Sequence, residues 1–186
     1  MFFTQDVTGY VVGMGKRNYL IEGVSGSGKT SVCHELRRRG YHALDGDREL
    51  IPDETRLQQS SLAEAGPEGS VERAAWMHGQ HVWDVDKVRS QAASKGSEMS
   101  FFCGGSRNYA DVIHLFDAVF VLDVDQETLQ RRLALRDRDA FGGRTEEQEY
   151  ILTLHKTEQD IPAFGTVIDG TAALDEVVDQ ILEHCL

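Results

Sequence analysis

Proline is scarce, with three residues in 186, and neither a repeat nor a low-complexity segment breaks the chain. Cysteine is equally rare. Cys33, Cys103 and Cys185 are widely spaced and odd in number, and they form no CxxC pair. This pattern argues against a disulfide scaffold or a zinc site and fits a reducing compartment. No apolar run approaches the roughly 20 residues that cross a bilayer, so no membrane association is expected. Positive charge is in deficit, with 19 Lys and Arg against 31 Asp and Glu and a net charge of -12. A nucleic-acid backbone would be repelled by such a surface, and no nucleic-acid partner is expected. A small anion needs only a local positive pocket, which an acidic protein can supply. The opening Met1-Phe2-Phe3-Thr4-Gln5-Asp6 lacks a basic n-region, so it does not read as a secretory signal, and cytoplasm is the expected location.

What is present is an alternation of short apolar runs and helical patterns. Strands are expected at Asn18–Glu22, Tyr41–Leu44, Met99–Cys103, Ala118–Leu122 and Thr166–Ile168. Helices are expected at Lys29–Arg39, Val85–Ser94, Ala110–Phe116, Glu127–Arg136, Glu146–Gln159 and Leu174–Glu183. Gly40 supplies one helix stop. Between Arg48 and Gly79 the chain is polar and mixed, with Pro52, Gly66 and Pro67 as breakers and room for short helices. Short apolar strands alternating with helices imply a parallel sheet covered on both faces, an α/β fold with three α/β/α layers and five parallel strands. Ligands in such folds sit outside the carboxyl ends of the strands, and each expected strand here ends in Gly or Asp. Residues 1–16 stand outside this rhythm as an N-terminal extension. Either Tyr10-Val11-Val12 adds an edge strand or Met14 is the true start.

Gly23-Val24-Ser25-Gly26-Ser27-Gly28-Lys29-Thr30 matches GxxxxGK[ST] in full, between an expected strand and an expected helix. Glycines let the backbone curl so that successive N–H groups face one anion. The helix that follows adds its N-terminal partial charge. The expected phosphate contacts are Gly23, Ser25, Gly26, Ser27, Gly28, Lys29, Thr30 and Ser31. Lys29 would reach the β- and γ-phosphates of ATP, and the Thr30 hydroxyl would ligate Mg²⁺. No guanine-reading NKxD and no LSGGQ are present. An AAA-type reading asks for an apolar run ending in Asp-Glu; Phe120-Val121-Leu122-Asp123 supplies the Asp, but Val124 follows.

From Asn18 to Leu182 the size and layout resemble the P-loop small-molecule and nucleoside-monophosphate kinases: adenylate, shikimate and gluconate kinases. That resemblance implies a P-loop NTPase fold in one domain, with an acceptor-binding insert at 48–83 and a small lid at 136–146. It implies an ATP-dependent phosphotransferase with Mg²⁺ and a small-molecule acceptor, as a monomer or homodimer. Asp45-Gly46-Asp47 sits where shikimate and gluconate kinases carry Asp-x-Asp. By resemblance Asp45 would lie near Mg²⁺, and Asp47 would bind the acceptor hydroxyl and take its proton; a plain Asx turn is the other reading of these residues. Cys103-Gly104-Gly105-Ser106-Arg107-Asn108 is similar to the glycine-rich turn after the third strand in this group, with Arg107 available to an anionic acceptor. The glycine triplet of shikimate kinase is cut to two, and no Asp-Gly-Phe-Pro-Arg of adenylate kinase is present. Arg132, Arg136 and Arg138 precede Gly142-Gly143, a pair suited to a hinge, and such arginines would stabilise a transferring phosphoryl group or hold ATP. Gly170, in Asp169-Gly170-Thr171, would by resemblance lie against adenine; a structural turn is the other reading of these residues. In the insert, Trp76 and Trp83 read either as a stacking pair or as a small hydrophobic cluster. His78 and His81 have metal-like spacing with no further ligands.

Overall fold

The computed structural model describes residues 17–52, 65–94 and 96–185. The N-terminal extension, its Tyr10–Val12 strand expectation and part of the insert lie outside these residues. The strands are β1 (Arg17–Glu22), β2 (His42–Asp45), β3 (Met99–Cys103), β4 (Ala118–Asp123) and β5 (Thr166–Asp169). The helices are α1 (Lys29–Arg38), α2 (Gly46–Glu49), α3 (Val71–Gly79), α4 (Val85–Ala93), α5 (Gln126–Ala134), α6 (Thr145–Thr157) and α7 (Leu174–Glu183). All strand pairs are parallel, in the order β2-β3-β1-β4-β5. The sheet and its flanking helices form the expected three-layer P-loop kinase-like α/β fold.

Strand periodicity sorts the core onto two faces. Tyr19 and Ile21 of β1, with Phe101, Phe120 and Ile168, pack under Val32 and Leu36 of α1 and Val178 and Ile181 of α7. Leu20, Phe102, Val119 and Val121 point the other way, onto Trp83, Val88 of α4 and Val112. A third cluster, Val24, Val124, Leu129, Leu133 and Ile151, fastens α5 and α6 to the loop end of the sheet. Trp83 is therefore a core residue, which decides for that side chain between stacking on a ligand and packing inside.

One expected helix is absent. Ala110–Phe116 resolves into two 3₁₀ turns, Tyr109–Asp111 and Ile113–Leu115. Seven residues carrying β-branched Val112 and Ile113 hold too few hydrogen bonds to offset helix nucleation. The segment instead pins β4, with Asp117 N–H donating to Asn18 O at 2.7 Å and Asp117 Oδ2 accepting from Asn18 N–H at 2.7 Å.

β1 is central, and both its neighbours come later in the chain. Connections leaving the carboxyl end of the sheet thus diverge there, which opens the crevice that holds the site.

Candidate active site

The loop after β1 curls through three left-handed glycines, Gly23 (φ 146°), Gly26 (φ 98°) and Gly28 (φ 114°). Gly23 also fills a space no side chain could share: a Cβ there would lie 2.6 Å from Ser27 Oγ and 2.7 Å from Leu122 O. Lys29, buried at the head of α1, folds back and donates to Gly23 O at 2.5 Å and Val24 O at 3.0 Å. Burial pulls its pKa below the ordinary lysine value, against the charges of Asp47 and Glu22.

Two cavities meet at this loop. The first, about 380 Å³, runs along Ser25, Gly26, Ser27, Gly28, Thr30 and Ser31 to Arg132, Gly170 and Leu174. The second, about 590 Å³, opens between Gly23, the β2 end, α3 and the turn after β3, and its walls include Asp45, Asp47, His81, Gly105, Arg107 and Phe141. Ser25, Lys29, Thr30, Asp47 and Arg136 border both.

Asp45 is buried at the end of β2, and its Oδ1 has no hydrogen-bond partner. Burial raises its pKa, and so does the neighbouring Asp47. Asp47 lies two residues further on, in α2, and receives a hydrogen bond from His81 Nε2 on its Oδ1 at 3.1 Å. Burial alone would raise its pKa; the His81 hydrogen bond, the Lys29 charge and the Gly105 N–H outweigh it, so the carboxyl sits below its ordinary range. The turn after β3 needs glycine to come this close: a Cβ on Gly104 would lie 2.9 Å from both Asp47 Oδ1 and Trp83 Cζ2.

Arg107 reaches the second cavity with both terminal nitrogens engaged and its buried Nε unpartnered. It pairs with Asp160 Oδ1 and donates from Nη2 to Asp160 O at 3.3 Å. Asp160 Oδ2 is also 2.8 Å from His78 Nε2. Burial, then the charges of Arg107, His81 and Lys29, push His78 down to about 4. The ring is thus neutral at pH 7, and its Nε2–H is the donor. The two histidines of the insert go to different carboxylates, and among the described residues no group of three or more His, Cys, Asp or Glu could hold a metal.

Arg132 donates to Ser27 O and Gly170 O, both at 2.8 Å, and ties α5 to the loop and to the β5–α7 turn. Arg136 donates to Ser25 Oγ at 2.9 Å and to Phe141 O, between the two cavities. Arg138 is not brought in: it is exposed and lines a separate surface cavity with Glu68, Gly69 and Arg144. It lies past the end of α5, where the chain has already turned away from the loop. Close packing explains the glycine pair. A Cβ on Gly142 would meet Ile151 Cδ1 at 2.9 Å, and one on Gly143 would overlap Asp137 O at 2.0 Å.

Sequence reasoning passed over Glu22, which is 1% exposed. Its Oε2 accepts from Gly23 N–H at 3.0 Å, its Oε1 has no partner, and a Cβ on Gly105 would lie 3.0 Å from Oε2. Burial pushes it up to about 7, against the pull of Lys29. A charged residue at the end of a buried strand, directly before the loop, was the available signal. Asp160 gave none.

A family model described as AAA domain matches residues 20–152. The chain belongs to this AAA domain family. No curated protein matches it in sequence. Among solved structures, this AAA domain chain is similar to a gluconokinase from Sinorhizobium meliloti 1021, at 22% identity over 92% of this chain and 91% of that one, with a TM-score of 0.54. A shikimate kinase from Bacteroides thetaiotaomicron matches at 15% identity over 91% and 98%, TM-score 0.59. A sugar kinase from Janibacter sp. HTCC2649 matches at 19% over 90% and 93%, TM-score 0.52. These likenesses establish the shared P-loop kinase-like fold. Within this AAA domain the Asp-Glu strand end is missing, and Asp123 lines a third cavity with Val24, Asp125, His155 and Glu158.

Proposed function

We propose that the chain is a P-loop kinase that transfers the γ-phosphoryl group of Mg²⁺-ATP to a hydroxyl of a small molecule. One observation carries this reading: two cavities of substrate size meet at Lys29, Thr30, Asp47 and Arg136. A nucleotide laid along the loop in the first cavity would present its terminal phosphate to a molecule held in the second. A hydrolytic switch needs no second cavity.

Each side chain then has a task. Lys29 leaves the carbonyls of Gly23 and Val24 and donates to the phosphates, with the loop N–H groups. Ser31, next along α1, borders the same phosphates. Asp47, held ionised by His81 and Lys29, accepts the acceptor O–H and takes its proton as the oxygen bonds to phosphorus and the bond to the ADP oxygen breaks. Arg136 supplies charge where the transferring group passes. Arg132 holds the loop against the Gly170 turn, so its role is to position the nucleotide. The lid of residues 136–146 follows as a contribution of Arg136 and Phe141.

Thr30 and Asp45 fit a magnesium ion. A hydroxyl and a buried carboxylate with an unpartnered oxygen border the same cavity, and these are the hard oxygen donors that Mg²⁺ takes. When bound, the ion would neutralise phosphate charge.

The test is ADP release from Mg²⁺-ATP with and without a panel of nucleosides, nucleotides, sugars and sugar acids, with products read by mass spectrometry. One acceptor class should raise the rate at least about 100-fold through an ordered second substrate, and Lys29→Ala should abolish the increase. Release indifferent to every acceptor, but still lost in Lys29→Ala, would move the assignment to an ATP-hydrolysing switch.

A further inference from the structure

The class of acceptor follows from the charge inventory of the second cavity, and it rests on the kinase reading above. Among the described residues its cations are Lys29, Arg48, Arg107 and Arg136. Lys29 belongs to the phosphate loop. Arg136 donates from Nη1 to Ser25 Oγ and Phe141 O, and in the kinase reading its charge belongs to the transferring phosphoryl group. The Arg48 side chain is 77% exposed and lies 3.7 Å from Asp45 Oδ2. Arg107 remains: both of its terminal nitrogens go to Asp160, and its buried Nε has no partner. Behind Gly105, the buried Glu22 carboxyl faces the same guanidinium.

Three carboxylates border the cavity: Asp45, Asp47 and Asp160. With Lys29 and Arg136 given to the phosphoryl group, an acceptor phosphate or carboxylate would, among the described residues, have to take the Arg107 terminal nitrogens from Asp160. That would leave Asp160, 6% exposed, with only the neutral His78, and a buried carboxylate stripped of its cation is strongly disfavoured. The lining also has an apolar part, formed by Met77, Ala140 and Phe141. Phe141 stacks on His78 at 5.8 Å between ring centres and an interplanar angle of 18°, so it presents a fixed flat surface.

We infer that the acceptor carries no anionic group: it is an uncharged hydroxyl compound with one apolar or planar face, placed between Phe141 and the Asp47–His81 pair. A nucleoside meets this description and a nucleoside monophosphate does not; a neutral sugar meets it and a sugar acid does not. Arg107 and Asp160 act as a specificity pair that keeps the cavity electrically closed.

The experiment uses matched acceptors that differ only in the anionic group. Initial rates with Mg²⁺-ATP are measured for adenosine against AMP, thymidine against TMP, and glucose against gluconate; the productive pair tells nucleoside from sugar. In that pair, kcat/KM for the uncharged member should exceed that of its partner at least about 100-fold. Asp160→Asn frees Arg107 and should narrow that ratio at least about tenfold, with folding checked by its thermal melt. An anionic member that equals or exceeds its uncharged partner overturns the inference while the kinase reading stands. A folded Asp160→Asn protein with an unchanged ratio overturns the charge argument. ADP release that no member of any pair raises counts against the kinase reading, and the inference falls with it.

Discussion

Two carboxylates at the loop differ in what surrounds them, and each yields a test. Asp47 is partly accessible and held charged by a hydrogen bond and a cation. Asp47→Asn should lower phosphoryl transfer at least about 100-fold, as loss of a positioned base does. Nucleotide affinity by calorimetry should stay within about threefold, because Asn removes one charge and no loop amide. Retained transfer would end the assignment of Asp47 as base. Glu22 is sealed in, and it titrates near 7 against an ordinary 4.5. A raised carboxyl pKa means that the folded state holds the proton more tightly than the unfolded chain. Its contribution to stability is therefore full below about 4.5 and is lost as pH rises through about 7. Glu22→Gln carries no such charge. Relative to wild type it should gain up to about 3 kcal/mol in urea unfolding between pH 5 and pH 8. A difference between the two proteins that does not change with pH would show that Glu22 is solvated. What separates the surroundings of Asp47 from the loop is sequence distance. The phosphate loop is eight consecutive residues whose chemistry is local, so it reads directly off the chain. The partners of Asp47, His78 and Arg107 lie 34, 82 and 53 residues away, and only the folded chain brings them together.

Elements obey the same division. The strands and long helices were legible because their periods of two and 3.6 are set locally. Met99–Cys103 and Leu174–Glu183 fall where the pattern places them, and the other ends shift by a residue or two at fraying positions. The 3₁₀ turns at 109–115 were not legible, since their form is set by the strands they connect. Nor could the pattern say which lid arginine faces inward. Arg132 and Arg136 are four apart on α5 and its exit, and so share a face; Arg138 is two further on and does not. Arg132 is the mechanical joint of this region, because one guanidinium holds the phosphate loop and the Gly170 turn to the same helix. Arg132→Ala should leave the sheet intact and loosen both loops. We expect nucleotide Kd to rise about tenfold, the low end of what one hydrogen bond to a charged donor is worth, because Arg132 acts through the loops and not on the nucleotide. The thermal midpoint should fall by no more than about 4 °C. An unchanged Kd would mean that the bound nucleotide itself orders these loops.

Across the whole molecule the phosphate site is a small cationic enclave in a chain of net charge -12. Lys29 and Arg136 line it, and in the free protein they are satisfied by backbone carbonyls and Ser25. Each borrowed contact lowers the cost of gathering cations before the nucleotide arrives. The nucleotide must then exchange them for its own oxygens, and that exchange is a free energy that binds the folded state alone. At about 100 times Kd, any ligand of the native state adds about 2.7 kcal/mol to unfolding. For a domain of this length each kcal/mol is worth about 2–4 °C. Mg²⁺-ATP should therefore raise the melting midpoint by about 5–11 °C. Lys29→Ala at the same nucleotide concentration should show less than a third of that shift, because it removes the cation that the loop is built to present. A Lys29→Ala shift equal to wild type would place the stabilising contact elsewhere, and the first cavity would lose its claim to the phosphates.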